Sequence, residues 1–129
     1  MAVAKARGVW EFGDFQTPPD LCVKVCTLLA RRGARPLHVL EPTCGKGGFL
    51  VSSAEAFPGA SLLGLEINPE HLEIARTSLS AKAVDFTLQQ GNFFDTDWGT
   101  VLADKKDRLL IVGNPPWVTS SELGMLQSS

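Results

Sequence analysis

The sequence has no long hydrophobic run. Its apolar stretches are as short as residues 109–112, too few to cross a bilayer, and its first ten residues lack the apolar core of a secretion signal. A cytoplasmic protein with no membrane partner is expected. Metal-binding residues are scarce as well. The two histidines, His38 and His71, and the three cysteines fall in no ligand spacing, so no metal site is expected. Cys22 and Cys26 lie four apart on an expected helix, and Cys44 stands alone in a glycine-rich loop. All three read as small buried residues in a reduced compartment. There is no strong positive charge either. The net charge is −2, and basic residues gather only at Lys5/Arg7 and Arg31/Arg32/Arg35. Such a segment is not by itself a high-affinity nucleic-acid surface. Repeats and low-complexity tracts are also missing. What remains is 129 residues, 44% hydrophobic and 20% charged, the composition of one modest globular domain.

The order of elements is informative. Residues 18–32, within the stretch 16–36, read as a helix with Thr17 as its cap, prolines at its start and Asp20 at its positive end. Its expected apolar stripe is Leu21, Cys22, Val25, Leu28 and Leu29. Gly33 and Pro36 end it. Residues 37–41 read as a short buried strand, 48–57 as a helix, 61–67 as a strand, and 69–79 as a helix capped by Asn68 with Pro69 first. Residues 84–90 and 108–112 read as two more strands, with residues 91–99 a loop between them. Alternating strands and helices imply a parallel sheet with right-handed crossovers, whose ligands sit at the carboxyl ends of the strands. Each unusual stretch follows a strand.

After the first strand comes "EPTCGKGG". Glu41 ends the strand, while Gly45 and Gly47 let the backbone approach a ligand closely and expose N–H groups at a helix start. This spacing is neither the dinucleotide fingerprint nor the P-loop. Glu66 ends the second strand, about 20 residues beyond Gly47, the place of the acid that grips ribose hydroxyls in doubly wound nucleoside binders. Glu41 disfavours a neighbouring phosphate and suits a cation such as an amino acid's ammonium. After the third strand, Phe93 suits an adenine face and Asn92 its edge, with Phe94 expected in the core. A nucleoside with a cationic amino-acid tail is S-adenosylmethionine. After the fourth strand comes "GNPPW". The Asn114 amide oxygen and the Pro115 carbonyl are two fixed acceptors for an –NH2 on a planar substrate, Pro116 stiffens the turn, and Trp117 offers a stacking face.

Taken together, "FQTPPDL", "LEPTCGKGGFL", "LEINP", "GNFFDTD" and "GNPPW" resemble the gamma-type amino-methyltransferases of DNA, the adenine-N6 (rarely cytosine-N4) enzymes of restriction–modification systems. The resemblance spans almost the whole chain. It implies an α/β, Rossmann-like S-adenosylmethionine-dependent methyltransferase sheet, here partial, with about four parallel strands and flanking helices. It implies that Phe15, Thr17, Glu41, Pro42, Cys44, Gly45, Gly47, Glu66, Ile67, Asn92 and Phe93 bind the cofactor. Asn114, Pro115, Pro116 and Trp117 would hold the target base. Asn92 stands where the family usually has Asp, and Trp117 where it has Tyr or Phe.

Residues 1–129 would then be the N-terminal part of a catalytic domain whose target-recognition domain is absent. DNA would be met through regions outside this chain, and the unpaired sheet edge beside the fourth strand invites self-association. Other readings stand beside this one. The "NPPW" motif is shared with methyltransferases of protein glutamine or RNA bases, and a truncated paralogue would be a non-catalytic cofactor- or partner-binding module. The spacing of Glu41, Gly45 and Gly47, with Thr17 and Pro18, argues against a nicotinamide dehydrogenase.

Overall fold

The computed structural model of the protein describes residues 16–115. Helix α1 (Pro19–Arg31) is followed by β1 (His38–Glu41), α2 (Gly48–Ala56), β2 (Ser61–Glu66), α3 (Pro69–Ser80) and β3 (Phe86–Gln90). A 3-10 turn (Phe93–Asp95), the short α4 (Trp98–Val101) and β4 (Leu109–Ile111) complete the described chain. All strand pairs are parallel, in the order β3-β2-β1-β4. The chain runs outward from β1 to β3, then returns to the other side of β1. The order therefore reverses between β1 and β4, and a crevice opens at the strands' carboxyl ends at such a switch point.

The core lies between the sheet and one helical layer. Val39 and Leu62 from the central strands pack with Leu50, Phe49 and Ala54 of α2, Leu72 and Leu79 of α3, and Cys22 and Cys26 of α1. Side chains alternate along a strand, so Leu40, next to Val39, turns to the other face. There it meets Phe93, Trp98 and Ile111 around an apolar hollow.

The sequence reading misplaces the inner face of α1. Leu21 and Leu28 are about half exposed, whereas Cys26, outside the expected stripe, is fully buried beside Cys22. The cause is close packing of α1 on α2 through small residues. A Cβ at Gly48 would sit 3.0 Å from Cys22 Sγ, and Cys26 Sγ lies 3.6 Å from Ser53 Oγ. A leucine cannot enter so narrow a seam. The expected Thr17 cap is also corrected, because Pro18 occupies the cap position and Pro19 opens the helix. A proline at that first position has its φ already set and no N–H to satisfy. Asn68 does cap α3, its Oδ1 accepting from the N–H of Glu70 and, more weakly, His71. Helix α4 begins at the end of the expected loop, residues 91–99, and runs two residues beyond it.

Candidate functional site

Two buried carboxylates stand at the rims of the central strands. Glu66 is only 8% exposed, so it does not simply meet water. Its Oε1 accepts from the Gly45 N–H and its Oε2 from the Asn68 N–H, both at 2.8 Å. The rim of β2 is thereby fastened to the glycine turn, and each oxygen keeps a lone pair for another donor. Glu41 is 4% exposed. Its Oε1 accepts from the Leu50 N–H at 3.2 Å, within the first turn of α2, and the Phe49 N–H also donates to it. Burial nevertheless pushes this carboxyl well above the usual range, against those hydrogen bonds, and the nearby Glu66 adds to the rise.

These bonds correct the expectation that the turn presents free N–H groups. Gly45 donates to Glu66, Lys46 to Gln16 Oε1 at 3.1 Å, and Gly47 to the Cys44 carbonyl at 2.8 Å. A helix N-terminus attracts an anion, and here the buried side chain of Glu41 already accepts from the first turn of α2. The turn contributes shape instead. Gly45 and Gly47 both have positive φ, and the turn is tight because neither carries a side chain. Cys44 points inward, its Sγ 3.0 Å from where a Cβ on Gly64 would lie. Burial holds its thiol far above the ordinary range and raises that of Cys22 to about 11, so both stay protonated.

At the rim of β4 the chain passes close to Glu41. A Cβ at Gly113 would lie 3.2 Å from Glu41 Cγ. Asn114 follows, and the Thr43 hydroxyl donates to its carbonyl at 3.1 Å, tying the loop after β1 to the motif after β4. A small polar hollow joins Gln16, Thr17, Glu41, Thr43, Cys44 and Asn114. Four residues expected from sequence, Thr17, Glu41, Cys44 and Asn114, thus share one cavity. Gly45 and Glu66 are bonded to each other at its edge.

The remaining candidates divide. Pro42, Phe93 and Pro115 line the apolar hollow on the other face, where Phe93 packs against Trp98 with ring centroids 5.7 Å apart. Phe94, expected in the core, is 52% exposed. The 3-10 turn rolls Phe93 inward and leaves Phe94 edge-on to it. Asn92 caps that turn, its Oδ1 accepting from the Phe94 N–H at 2.9 Å. Ile67 is 37% exposed just beyond Glu66, and its carbonyl accepts from Gln90 Nε2. Phe15, Pro116 and Trp117 lie outside the described residues. Sequence reasoning assigned no role to Gln16 or Thr43. Each is a polar residue within a quoted motif, but its partner lies 30 or 71 positions away.

The family model described as a methyltransferase domain matches residues 39–122. The chain belongs to the methyltransferase domain family. This methyltransferase domain is 38% identical over 118 residues to the type II methyltransferase M.NspV of Nostoc sp., covering 90% of this chain and 25% of that protein. It is 29% identical over 85 residues to the release factor glutamine methyltransferase of Vibrio cholerae, covering 66% of this chain and 28% of that one. The chain spans about a quarter of the length of the type II relatives it matches. Among solved structures, an O-methyltransferase from Bacillus cereus superposes over 87% of this chain and 52% of its own, with a TM-score of 0.58 at 18% identity. That likeness bears on the fold, which is the Rossmann-like methyltransferase sheet.

Proposed function

We propose that this methyltransferase domain binds S-adenosylmethionine and serves an enzyme that methylates the N6 amine of adenine in DNA. The observation that carries the reading is the Thr43 bond, which holds the Asn114 carbonyl at the hollow shared by Thr17 and Glu41. The residues present suit the cofactor chemically. Glu66 keeps lone pairs for ribose hydroxyls, and Glu41 suits an ammonium group. Thr17 borders the same hollow, and Ile67 and Asn92 stand at adjacent strand rims for the adenine. When bound, S-adenosylmethionine supplies an electrophilic methyl group on a sulfonium sulfur.

The protein's own contribution is positional. An exocyclic amine conjugated to a ring is a poor nucleophile. Asn114 and Pro115 supply two oxygens that accept its protons and orient its lone pair, and Trp117 supplies a face for the base. Holding two reactants in register can lower a barrier by roughly 7–11 kcal/mol. A base in a duplex must first be flipped out, at roughly a few kcal/mol, with contacts to the strand offsetting that cost. A chain with net charge −2 is poorly suited to make those contacts alone. DNA contact therefore falls to other parts of the enzyme.

Two measurements test this. Calorimetric titration with S-adenosylmethionine should give one site per chain. In the full-length protein, N114A should lower methyl transfer to unmethylated DNA by about 100-fold or more while leaving cofactor affinity within a few-fold. Transfer to a release-factor glutamine or to RNA, but not to DNA, would replace the substrate assignment. Binding without any transfer would make the domain a non-catalytic module.

A further inference from the structure

Just ahead of α1, Gln16 lies against the glycine turn. A Cβ on Gly45 would lie 2.6 Å from Gln16 Oε1 and 2.9 Å from Nε2, so the carboxamide rests directly on that glycine. Its Oε1 accepts from the Lys46 N–H at 3.1 Å, and its Nε2 lies 3.5 Å from His71 Nδ1 in α3. One side chain thereby bridges the strap before α1, the turn after β1 and the start of α3. The other N–H groups of the turn are held from within, by the Glu66 carboxylate and the Cys44 carbonyl. Among the described residues, the Lys46 bond is the one of these made to an exposed side chain, and so the one most easily exchanged. Behind Gln16, the hollow lined by Thr17, Glu41 and Asn114 encloses only about 20 Å³. That is room for roughly one water molecule. An amino-acid end, with its ammonium and carboxylate, does not fit unless the strap yields.

We propose that Gln16 is a clasp on the cofactor site. Its carboxamide lifts from Gly45 and Lys46 to admit the amino-acid end of the nucleoside, then folds over the bound ligand and sets how long it stays. This rests on the reading of the hollow as part of the S-adenosylmethionine site. Gln16 is a positioning residue, acting through the strap and the turn rather than on the reacting atoms.

The test uses S-adenosylhomocysteine as probe, with Q16A and Q16M. Methionine keeps the length and bulk of glutamine but has no carboxamide to hold the Lys46 N–H. Both variants should release the probe at least tenfold faster than the parent protein, with melting temperature unchanged. Amide exchange at Lys46 in the ligand-free protein should rise in both, and faster release at an unchanged melting temperature is the readout a merely stabilising role would not move. Release from Q16A within twofold of the parent, unchanged Lys46 exchange, or parental release from Q16M would each overturn the clasp. Failure of the parent protein to bind the probe would instead sink the cofactor assignment, and Lys46 exchange would still report on the clasp.

Discussion

Burial gives Glu41 a carboxyl that resists ionising, and that sets a sign. Because its folded pKa is raised, the folded state keeps a proton that the unfolded chain has lost. Its contribution to stability therefore falls as pH climbs from the ordinary carboxylate range through the folded pKa. A cation placed beside it favours the ionised form. Affinity for S-adenosylmethionine should rise with pH over the same interval, with a proton released on binding. Calorimetry in buffers of different ionisation enthalpy reads that proton directly. E41Q keeps an acceptor for the Leu50 and Phe49 N–H groups but has no charge. It should weaken binding, release no proton and flatten the pH profile of stability. Thr43 offers a second test at this scale. T43V removes the hydroxyl that holds the Asn114 carbonyl. In the full-length enzyme it should lower kcat several-fold with little change in cofactor affinity, because Glu41 and Glu66 keep their bonds. Both acids drew attention in the sequence because each ends an apolar strand, Glu41 just before the glycine turn and Glu66 about 20 residues beyond Gly47. Gln16 and Thr43 did not, because a hydrogen bond to a backbone group 30 or 71 residues distant leaves no mark on local pattern.

At the level of elements, the strand β2 is pinched where it passes beneath the glycine turn. A Cβ on Gly64 would lie 2.7 Å from Leu50 Cδ1, 2.9 Å from Leu88 Cδ2 and 3.0 Å from Cys44 Sγ. G64A should cost about 1–3 kcal/mol, as overpacking does, and denaturant unfolding monitored by circular dichroism measures it. The cap of α3 is the contrasting case. N68A leaves the Glu70 and His71 N–H groups without their acceptor. The loss should be about 1 kcal/mol. The cap and strand rims were readable because each depends on neighbours in sequence. The inner face of α1 was not. Leu21 and Cys22 adjoin, and only the narrow seam with α2, set by Gly48 and Ser53, decides that the cysteine faces inward. Helix α4 was unreadable for a different reason, since four residues carry no periodicity.

Across the molecule, one sheet has two unlike borders. Among the described residues β3 and β4 are the edge strands. The outer strand β3 is polar where it is exposed, with Thr87, Gln89 and Gln90 open to water. By contrast, β4 presents Ile111 at 57% exposure, beside the apolar hollow of Leu40, Pro42, Phe93 and Trp98. Among the described residues β4 pairs with β1 alone; an apolar strand edge is a template for pairing, and a net charge of −2 offers little repulsion. We propose that the chain associates with itself through β4. Sedimentation at increasing concentration should show the mean mass of the 129-residue chain rising above one copy. I111K places a charge on that edge without touching Glu41, Glu66 or Asn114. It should return the mass to that of the monomer while S-adenosylhomocysteine affinity stays unchanged. A parent chain that remains monomeric, or a variant that associates as the parent does, would remove β4 as the contact. Loss of affinity in I111K would show instead that the apolar hollow and the polar site are coupled through β1, whose Leu40 and Glu41 border one each.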